Sequence, residues 1–175
     1  MAKPSNTGPI DAEPAMALLK KPDEEHFLDL LSRRSSTIQD GFDYWCSKGW
    51  PERMPSRADI EPMEMPHLLP NVVLLDVQEE PRDFFYKLIG TGVVHHLAGD
   101  LTGKWMSELD HQRPPSRIWD SCNKVVETGV PFLSCIPYVG PHADFLYGED
   151  IILPLDGEPG SVSKLLVFVA YIRKS

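Results

Sequence analysis

Residues 71–92 read NVVLLDVQEEPRDFFYKLIGTG, and this stretch indicates how the chain folds. Residues 71–77 are a short run of aliphatic, partly β-branched side chains, and residues 83–89 are a second run that begins with aromatic ones. The polar segment 79–82, which contains a proline, separates the two runs and is typical of a turn. The stretch therefore predicts an antiparallel β-hairpin.

Helical segments are expected after this hairpin. Thr91 is predicted to cap a short helix that runs through His96 and ends at Gly99, and a longer helix is predicted over residues 115–128. Three further strands are predicted at about 132–138, 145–154 and 162–172. This order predicts an α+β fold, in which a five-stranded antiparallel sheet has helices inserted between its second and third strands.

The region before the hairpin divides into three parts. Residues 1–22 have no hydrophobic period and are interpreted as a flexible tail. Residues 23–49 are predicted to form one long amphipathic N-terminal helix, whose apolar side is covered either by the domain or by a second subunit. The proline-rich segment 50–70 is interpreted as an ordered connector, so the main domain is expected to span residues 50–175.

Charge and cysteine content exclude several classes of partner. Acidic residues outnumber basic ones by 26 to 17, giving a formal net charge of −9. Nucleic-acid-binding proteins usually present a basic face, so neither nucleic acid nor an anionic membrane is an expected partner. Cys46, Cys122 and Cys135 are too widely spaced for a disulfide framework, and we predict free, buried thiols in a cytoplasmic protein.

Four short motifs occur in a fixed order along the chain: MPSRADIEP at 54–62, LLPNV at 68–72, YKLIGT at 86–91 and GDLTG at 99–103. Together they resemble the bacterial PAS domain family PAS_5, and the resemblance covers roughly residues 40–172. Members of that family are mostly uncharacterised proteobacterial proteins, often of a single domain. The resemblance implies a PAS-like fold and a role in sensing that is coupled to protein–protein contacts.

The resemblance also points to five motif residues with a structural role. Gly90 and Thr91 follow the second strand, and Gly103 ends the leucine-threonine-glycine turn. Arg57 and Asp59 belong to the segment before the first strand. Arg57 has the chemistry to hold an anionic ligand, but its position ahead of the sheet favours a role in fixing the connector to backbone carbonyls or to Asp59.

A ligand site is expected between the sheet and the inserted helices, where PAS domains have their cavity. Aromatic walls with a few hydroxyl, indole or imidazole groups would suit a small apolar or aromatic ligand. The alternatives are that these aromatic side chains simply fill the core, and that the histidine among them is an ordinary surface residue. The candidate ligand-binding residues are Tyr86, His96, Trp105, Trp119 and Tyr138.

Particular cofactors are not supported by the motifs, so the cofactor is left unknown. Residues 115–128 contain no histidine that could serve as the usual haem ligand of a PAS helix, although His96 or His111 remains an alternative. Cys122 lacks the asparagine-cysteine-arginine motif of the flavin-binding branch. His95 and His96 are neighbours that diverge on a helix, so no metal site is predicted.

Three functions remain open on the sequence. The first is a non-catalytic sensory module that binds a small ligand and forms a homodimer through the N-terminal helix. The second is a ligand-free scaffold for an unidentified protein partner. The third is a small enzyme, which we disfavour because Glu149 and Asp150 point to opposite faces of a strand and cannot form an acid–base pair.

Overall fold

The computed structural model describes residues 21–97 and 99–175. The predicted flexible tail therefore lies, apart from its last two residues, outside the described part of the chain. Within the described residues, no helix is both long enough and apolar enough to cross a membrane.

The described residues form one five-stranded antiparallel sheet, which confirms the predicted α+β architecture. The strand order is β2-β1-β5-β4-β3, so the two hairpins lie on either side of the last strand. Helix α3 (Thr91–His95) and helix α4 (Arg117–Thr128) are inserted between the second and third strands, as predicted. The strands are β1 (Val72–Gln78), β2 (Asp83–Ile89), β3 (Phe132–Pro137), β4 (Phe145–Asp156) and β5 (Val162–Arg173).

Alternate residues of each strand belong to two separate hydrophobic clusters, one on each face of the sheet. Leu74 and Phe168 pack in a cluster on the face that we call the outer face. Leu75 and Val167 pack with residues of α3 and α4 on the opposite, inner face. Because side chains alternate along a strand, each central strand is apolar on both sides, and this accounts for the continuous apolar runs in the sequence.

The predicted single N-terminal helix is divided in two by the structure: α1 (Lys21–Ser32) and α2 (Ser36–Cys46). Ser35 leaves the helical region with φ −58° and ψ 158°. Its backbone N–H donates a hydrogen bond of 2.9 Å to the Glu149 carboxylate, and Arg34 lies 3.8 Å from the same carboxylate. The break is therefore stabilised by a residue more than one hundred positions away, which helical periodicity cannot reveal.

Helix α2 covers the outer face of its own sheet. Ile38, Phe42 and Trp45 are buried against β4 and β5. The Trp45 indole N–H donates a hydrogen bond of 3.0 Å to the Pro154 carbonyl. The apolar side of the N-terminal helix was expected to be covered either by the domain or by a second subunit. For α2, the structure shows coverage by the domain itself.

The connector at 50–70 is ordered by local turns. Arg57 donates a hydrogen bond of 3.0 Å to the Ile60 carbonyl, which is the structural role that its position favours. The partner of Asp59 is Arg53, whose guanidinium donates to both carboxylate oxygens at 2.7 and 2.9 Å. This pairing, together with the Ser56 N–H at 2.8 Å, holds the pKa of Asp59 well below its usual range.

The glycines of the family motifs occupy crowded or special backbone positions. Helix α3 is capped by Gly90 and begins at Thr91, so the prediction that Thr91 is the cap is wrong. A Cβ at Gly90 would lie 2.3 Å from the Leu69 carbonyl oxygen, which leaves no room for a side chain. Gly103 has φ +84°, and its N–H donates to the Tyr86 carbonyl at 2.8 Å, so that residues 103–105 run along the free edge of β2.

All three cysteines are free, but their environments differ. Cys122 is fully buried under the inner face, as predicted, and burial raises the pKa of its thiol. Cys46 is partly buried, and Cys135 is exposed on the edge strand β3, so the prediction of buried thiols is wrong for Cys135.

Candidate ligand cavity

A cavity of about 430 Å³ lies between the inner face of the sheet and the inserted helical region. This volume is within the range of small-molecule sites, which runs from about 300 to 1,000 Å³. All strands contribute to the wall: β1 and β2 on one side, β5 and β4 at the back, and β3 with its following loop on the other side. The apolar lining comes mainly from Val73, Leu75, Ile89, Val93, Leu97, Leu101, Ile118, Ile136, Val167 and Val169.

Small side chains at the centre of the sheet account for the empty space. Val73, Val167 and Val169 face the cavity from β1 and β5, and Gly148 faces it from β4. A Cβ at Gly148 would find its nearest neighbour, the Tyr171 ring, 3.8 Å away. The inner face therefore presents short side chains where the helices are too far away to fill the gap.

One polar pair lies on the wall formed by β2. The Tyr86 hydroxyl donates a short hydrogen bond to the side-chain carbonyl of Gln112, a residue in the segment before α4. Tyr86 is buried, and this burial raises the pKa of its hydroxyl. The neutral hydroxyl therefore persists at physiological pH and ties the sheet to the helical side of the cavity.

A second polar pair lies deeper, on β4. Asp150 is 8% exposed and lines the cavity from the inner face. The Ser134 hydroxyl, on the neighbouring strand β3, donates to Asp150 Oδ1 at 2.6 Å. Burial raises the pKa of the Asp150 carboxyl because the charged form loses its hydration.

A third polar pair closes one end of the cavity. His96, which directly follows α3, has its Nδ1 hydrogen-bonded to the Tyr138 hydroxyl at 2.9 Å. Its ring stacks on Tyr171 with ring centroids 3.8 Å apart. A Cβ at Gly140 would lie 2.3 Å from the Tyr138 hydroxyl and 2.7 Å from the His96 carbonyl, so the loop after β3 can cross His96 only because residue 140 is glycine.

Three histidines meet at this end of the cavity. The His95 and His142 rings stack with centroids 4.4 Å apart, and His142 Nε2 donates to the His95 carbonyl at 3.1 Å. Burial lowers the pKa of His96, and the neighbouring His142, His95 and Arg173 lower it further. Despite the proximity of these rings, the described residues contain no cluster of three or more side chains with the geometry to hold a metal ion.

The family model of the PAS domain (PAS_5) matches residues 33–170 of the chain. The chain belongs to the PAS domain family. The match covers most of the sequence, confirms the resemblance carried by the four motifs, and includes α2 and all of the sheet except the last three residues of β5. In this PAS domain every lining residue of the cavity except Tyr171 lies inside the matched region.

Comparison with solved structures and curated proteins adds little more. The chain is similar to the crystal structure of a sensory box sensor histidine kinase from Vibrio cholerae, with 14% identity, a TM-score of 0.47, and coverage of 65% of this chain and 90% of that chain. That similarity is too low to assign a fold or a function by itself. Among curated proteins, no sequence matches.

The five candidate ligand residues of this PAS domain fall into two groups. Tyr86, His96 and Tyr138 line the cavity. Trp105 does not, because residue 105 pairs with Phe85, which points to the outer face, and the two rings pack 5.0 Å apart. Trp119 packs edge-on against Phe84 at 5.2 Å, beside the cavity but outside its lining.

Two lining groups were missed by sequence reasoning. Asp150 was considered only as half of an acid–base pair, and Gln112 was not considered at all. The signal for Asp150 was present: it is an ionisable residue inside a strand, and it directly precedes an apolar run that is buried on both faces. For Gln112 the sequence carries no such signal, because this residue lies in an irregular segment whose path depends on tertiary contacts.

Proposed function

We propose that this PAS domain is a non-catalytic sensory module that binds a small, largely apolar or aromatic molecule in the cavity described above. The observation that supports this proposal best is the cavity itself, about 430 Å³ in volume, with apolar walls and three polar pairs at separate points. Such a combination favours a ligand that gains affinity from burial and orientation from a few hydrogen bonds. PAS domains are in general sensory rather than catalytic, which agrees with this proposal.

Output is proposed to pass through contacts with other proteins. The β3–β4 hairpin lies beside the cavity and carries exposed apolar side chains: Val139 is 92% exposed and Leu146 is 52% exposed. Strand β3 is the last strand of the sheet on that side, and edge strands offer free backbone groups to a partner. A ligand-free scaffold that uses this hairpin is the second candidate function.

A homodimer through the N-terminal helix stays a prediction, but the surface available for it is on α1 and not on α2. The apolar side of α2 is buried in its own domain, so self-association would have to use α1, where Leu28 is 47% exposed. Helix α2 cannot be removed to test self-association, because Ile38, Phe42 and Trp45 belong to the core. A cytoplasmic location likewise remains a prediction from the sequence.

The cavity proposal is tested by filling the cavity. Val169 lies on β5 and lines the cavity, so Val169→Phe places a ring in the space that a ligand would occupy. Native mass spectrometry of the purified full chain would reveal a retained molecule, and a panel of small aromatic fragments would be screened by thermal shift. We expect binding to wild type and at least about a tenfold loss in the variant, since about 1.4 kcal/mol of lost contact suffices for that change.

The matched control is Leu88→Phe, which adds the same ring on the outer side of β2, where Leu88 is 47% exposed. This variant should bind as wild type does. Two results would refute the proposal. One is that wild type neither retains a molecule nor binds any fragment. The other is that Val169→Phe, correctly folded by circular dichroism, binds as tightly as wild type.

A further inference from the structure

Asp150 is the one side chain of the described cavity lining that combines deep burial with a carboxyl group. It lies in the middle of β4, opposite Val169 of β5 and Ser134 of β3. The lining also contains three basic side chains: His111 and Arg117 are exposed, and His96 is partly buried at one end of the cavity. Asp150 is thus more deeply buried than any basic side chain of the lining.

The hydrogen bonds of Asp150 leave capacity for a ligand. Among the described residues its only hydrogen-bond partner is Ser134, which donates to Oδ1 at 2.6 Å. No described lysine, arginine or histidine forms an ion pair with it, because the nearby Arg34 lies against Glu149, which points to the outer face. Asp150 Oδ2 is therefore free to accept, and a buried carboxyl with so few partners is costly in the empty cavity.

The surroundings of Asp150 suit a positively charged or N–H-donating group better than a negative one. Tyr86, Tyr138 and Tyr171 place phenol rings on the wall of the same cavity, and the faces of such rings attract cations. Burial, followed by the influence of Tyr138 and Asp150, raises the pKa of Tyr171 to about 12, so this ring stays neutral. The net charge of −9 further favours the approach of cations.

We propose that the cavity selects compact apolar or aromatic molecules that carry a basic nitrogen, an amine or an amidine-type group, which donates to Asp150 Oδ2. The inference rests on the proposed function, since it names the ligand class of the same cavity. A protonated nitrogen supplies a countercharge in direct contact with the carboxylate, which no described residue provides. When such a ligand binds, Asp150 Oδ2 accepts from its nitrogen while Ser134 continues to donate to Oδ1.

Three probes of similar size test this selectivity: 2-phenylethylamine, 2-phenylethanol and 3-phenylpropanoate, titrated into the full chain at pH 7 by calorimetry. We expect the amine to bind wild type at least about tenfold more tightly than the alcohol, as a charge-assisted hydrogen bond allows. In Asp150→Asn this preference should disappear while the alcohol binds as before. Glu149→Gln makes the same change of charge one residue away, on the outer face, and should keep the preference.

The pH dependence of binding provides a readout that does not depend on the variant folding. Because burial raises the pKa of Asp150, the preference of wild type for the amine over the alcohol should grow as the pH is raised from about 4 to about 8. The inference is overturned if amine and alcohol bind alike, if the acid binds best, if the preference survives Asp150→Asn, or if the preference stays constant or falls as the pH rises. In those cases the cavity still binds molecules and the proposed function stands; if no probe binds at all, both fail.

Discussion

Both faces of the sheet are covered by helices of the same chain, yet the two faces differ in how completely they are filled. On the outer face, α2 brings Ile38, Phe42 and Trp45 into contact with β4 and β5, and the Trp50 ring packs on Trp45 at 4.7 Å. On the inner face, α3 and α4 leave a cavity of about 430 Å³ above the same strands. One surface therefore supports stability, and the other offers space for a ligand.

Side-chain size explains this difference better than hydrophobicity does. Both faces are apolar, but the outer face carries Phe168 and Leu153 where the inner face carries Val167, Val169 and Gly148. Protein interiors are normally close-packed, and an unfilled space costs dispersion contacts. A domain that keeps such a space gives up some stability for a binding site, which leads to different responses to mutation on the two faces.

The largest expected effect is loss of the outer-face tryptophan. Trp45→Ala removes a fully buried ring and leaves the Pro154 carbonyl without its donor. We expect the free energy of unfolding to fall by about 3–5 kcal/mol, measured by urea denaturation. The control is Trp119→Ala on the inner face, a half-buried ring that packs edge-on against Phe84, for which about 1–2 kcal/mol is expected. Equal losses would show that the outer face is not the more tightly packed one.

A matched pair of glycines gives an intermediate effect. A Cβ at Gly41 of α2 would lie 2.5 Å from the buried Phe168 ring, whereas a Cβ at Gly148 meets only Tyr171, at 3.8 Å. Gly41→Ala should therefore destabilise the domain by about 1–2 kcal/mol, even after the gain in helix propensity. Gly148→Ala should be neutral or stabilise it by up to about 1 kcal/mol. Thermal unfolding of the two variants measures the contrast, and destabilisation of equal size would contradict it.

The smallest expected effect is a dependence of stability on pH from Asp150. Because burial raises its pKa, the unfolded chain ionises this carboxyl at a lower pH than the folded chain does. As pH rises above the ordinary carboxyl range, wild type loses stability until the raised folded pKa is passed. Asp150→Asn cannot ionise, so it should be more stable than wild type at pH 7, and the gap should close as the pH is lowered to about 4.

The neighbouring carboxylate on the outer face is the control for this experiment. Glu149 accepts the Ser35 N–H and lies beside Arg34, so it has partners where Asp150 has few. Glu149→Gln should be less stable than wild type at pH 7. If both amide variants changed stability in the same direction at that pH, the two faces would not differ electrostatically in the way the structure indicates.

The strands and the inserted helices could be predicted because their signals are local. The predicted strands differ from the observed ones by one or two residues at their ends, and α4 begins two residues later than expected because Ser116, rather than Pro115, leads into it. The break at Ser35 could not be predicted, since the group that stabilises it, Glu149, is distant in sequence. Local periodicity continues across positions 33–35, and a tertiary hydrogen bond interrupts the helix there.

Three of the five candidate ligand residues line the cavity, and the positions of the other residues depend on tertiary contacts. Tyr86 and Tyr138 were placed on the correct wall because they lie on or next to strands whose register follows the hydrophobic pattern. Trp105 was misplaced because the chain turns at Gly103 and runs along the edge of β2. Asp150 was not proposed as a ligand residue because its burial beside a cavity depends on the packing of the helices over β4, which strand alternation does not reveal.

The sequence by itself determined the family, the order of strands and helices, and the apolar character of both sheet faces, because these depend on residue type and local spacing. The tertiary structure alone decided which face is filled and which is hollow. The physical reason is that a cavity is set by the sizes of side chains on elements far apart in sequence and by the distance between those elements. The same holds for Asp150, whose carboxyl becomes a candidate recognition group only where the fold buries it and leaves one oxygen without a hydrogen-bond partner among the described residues.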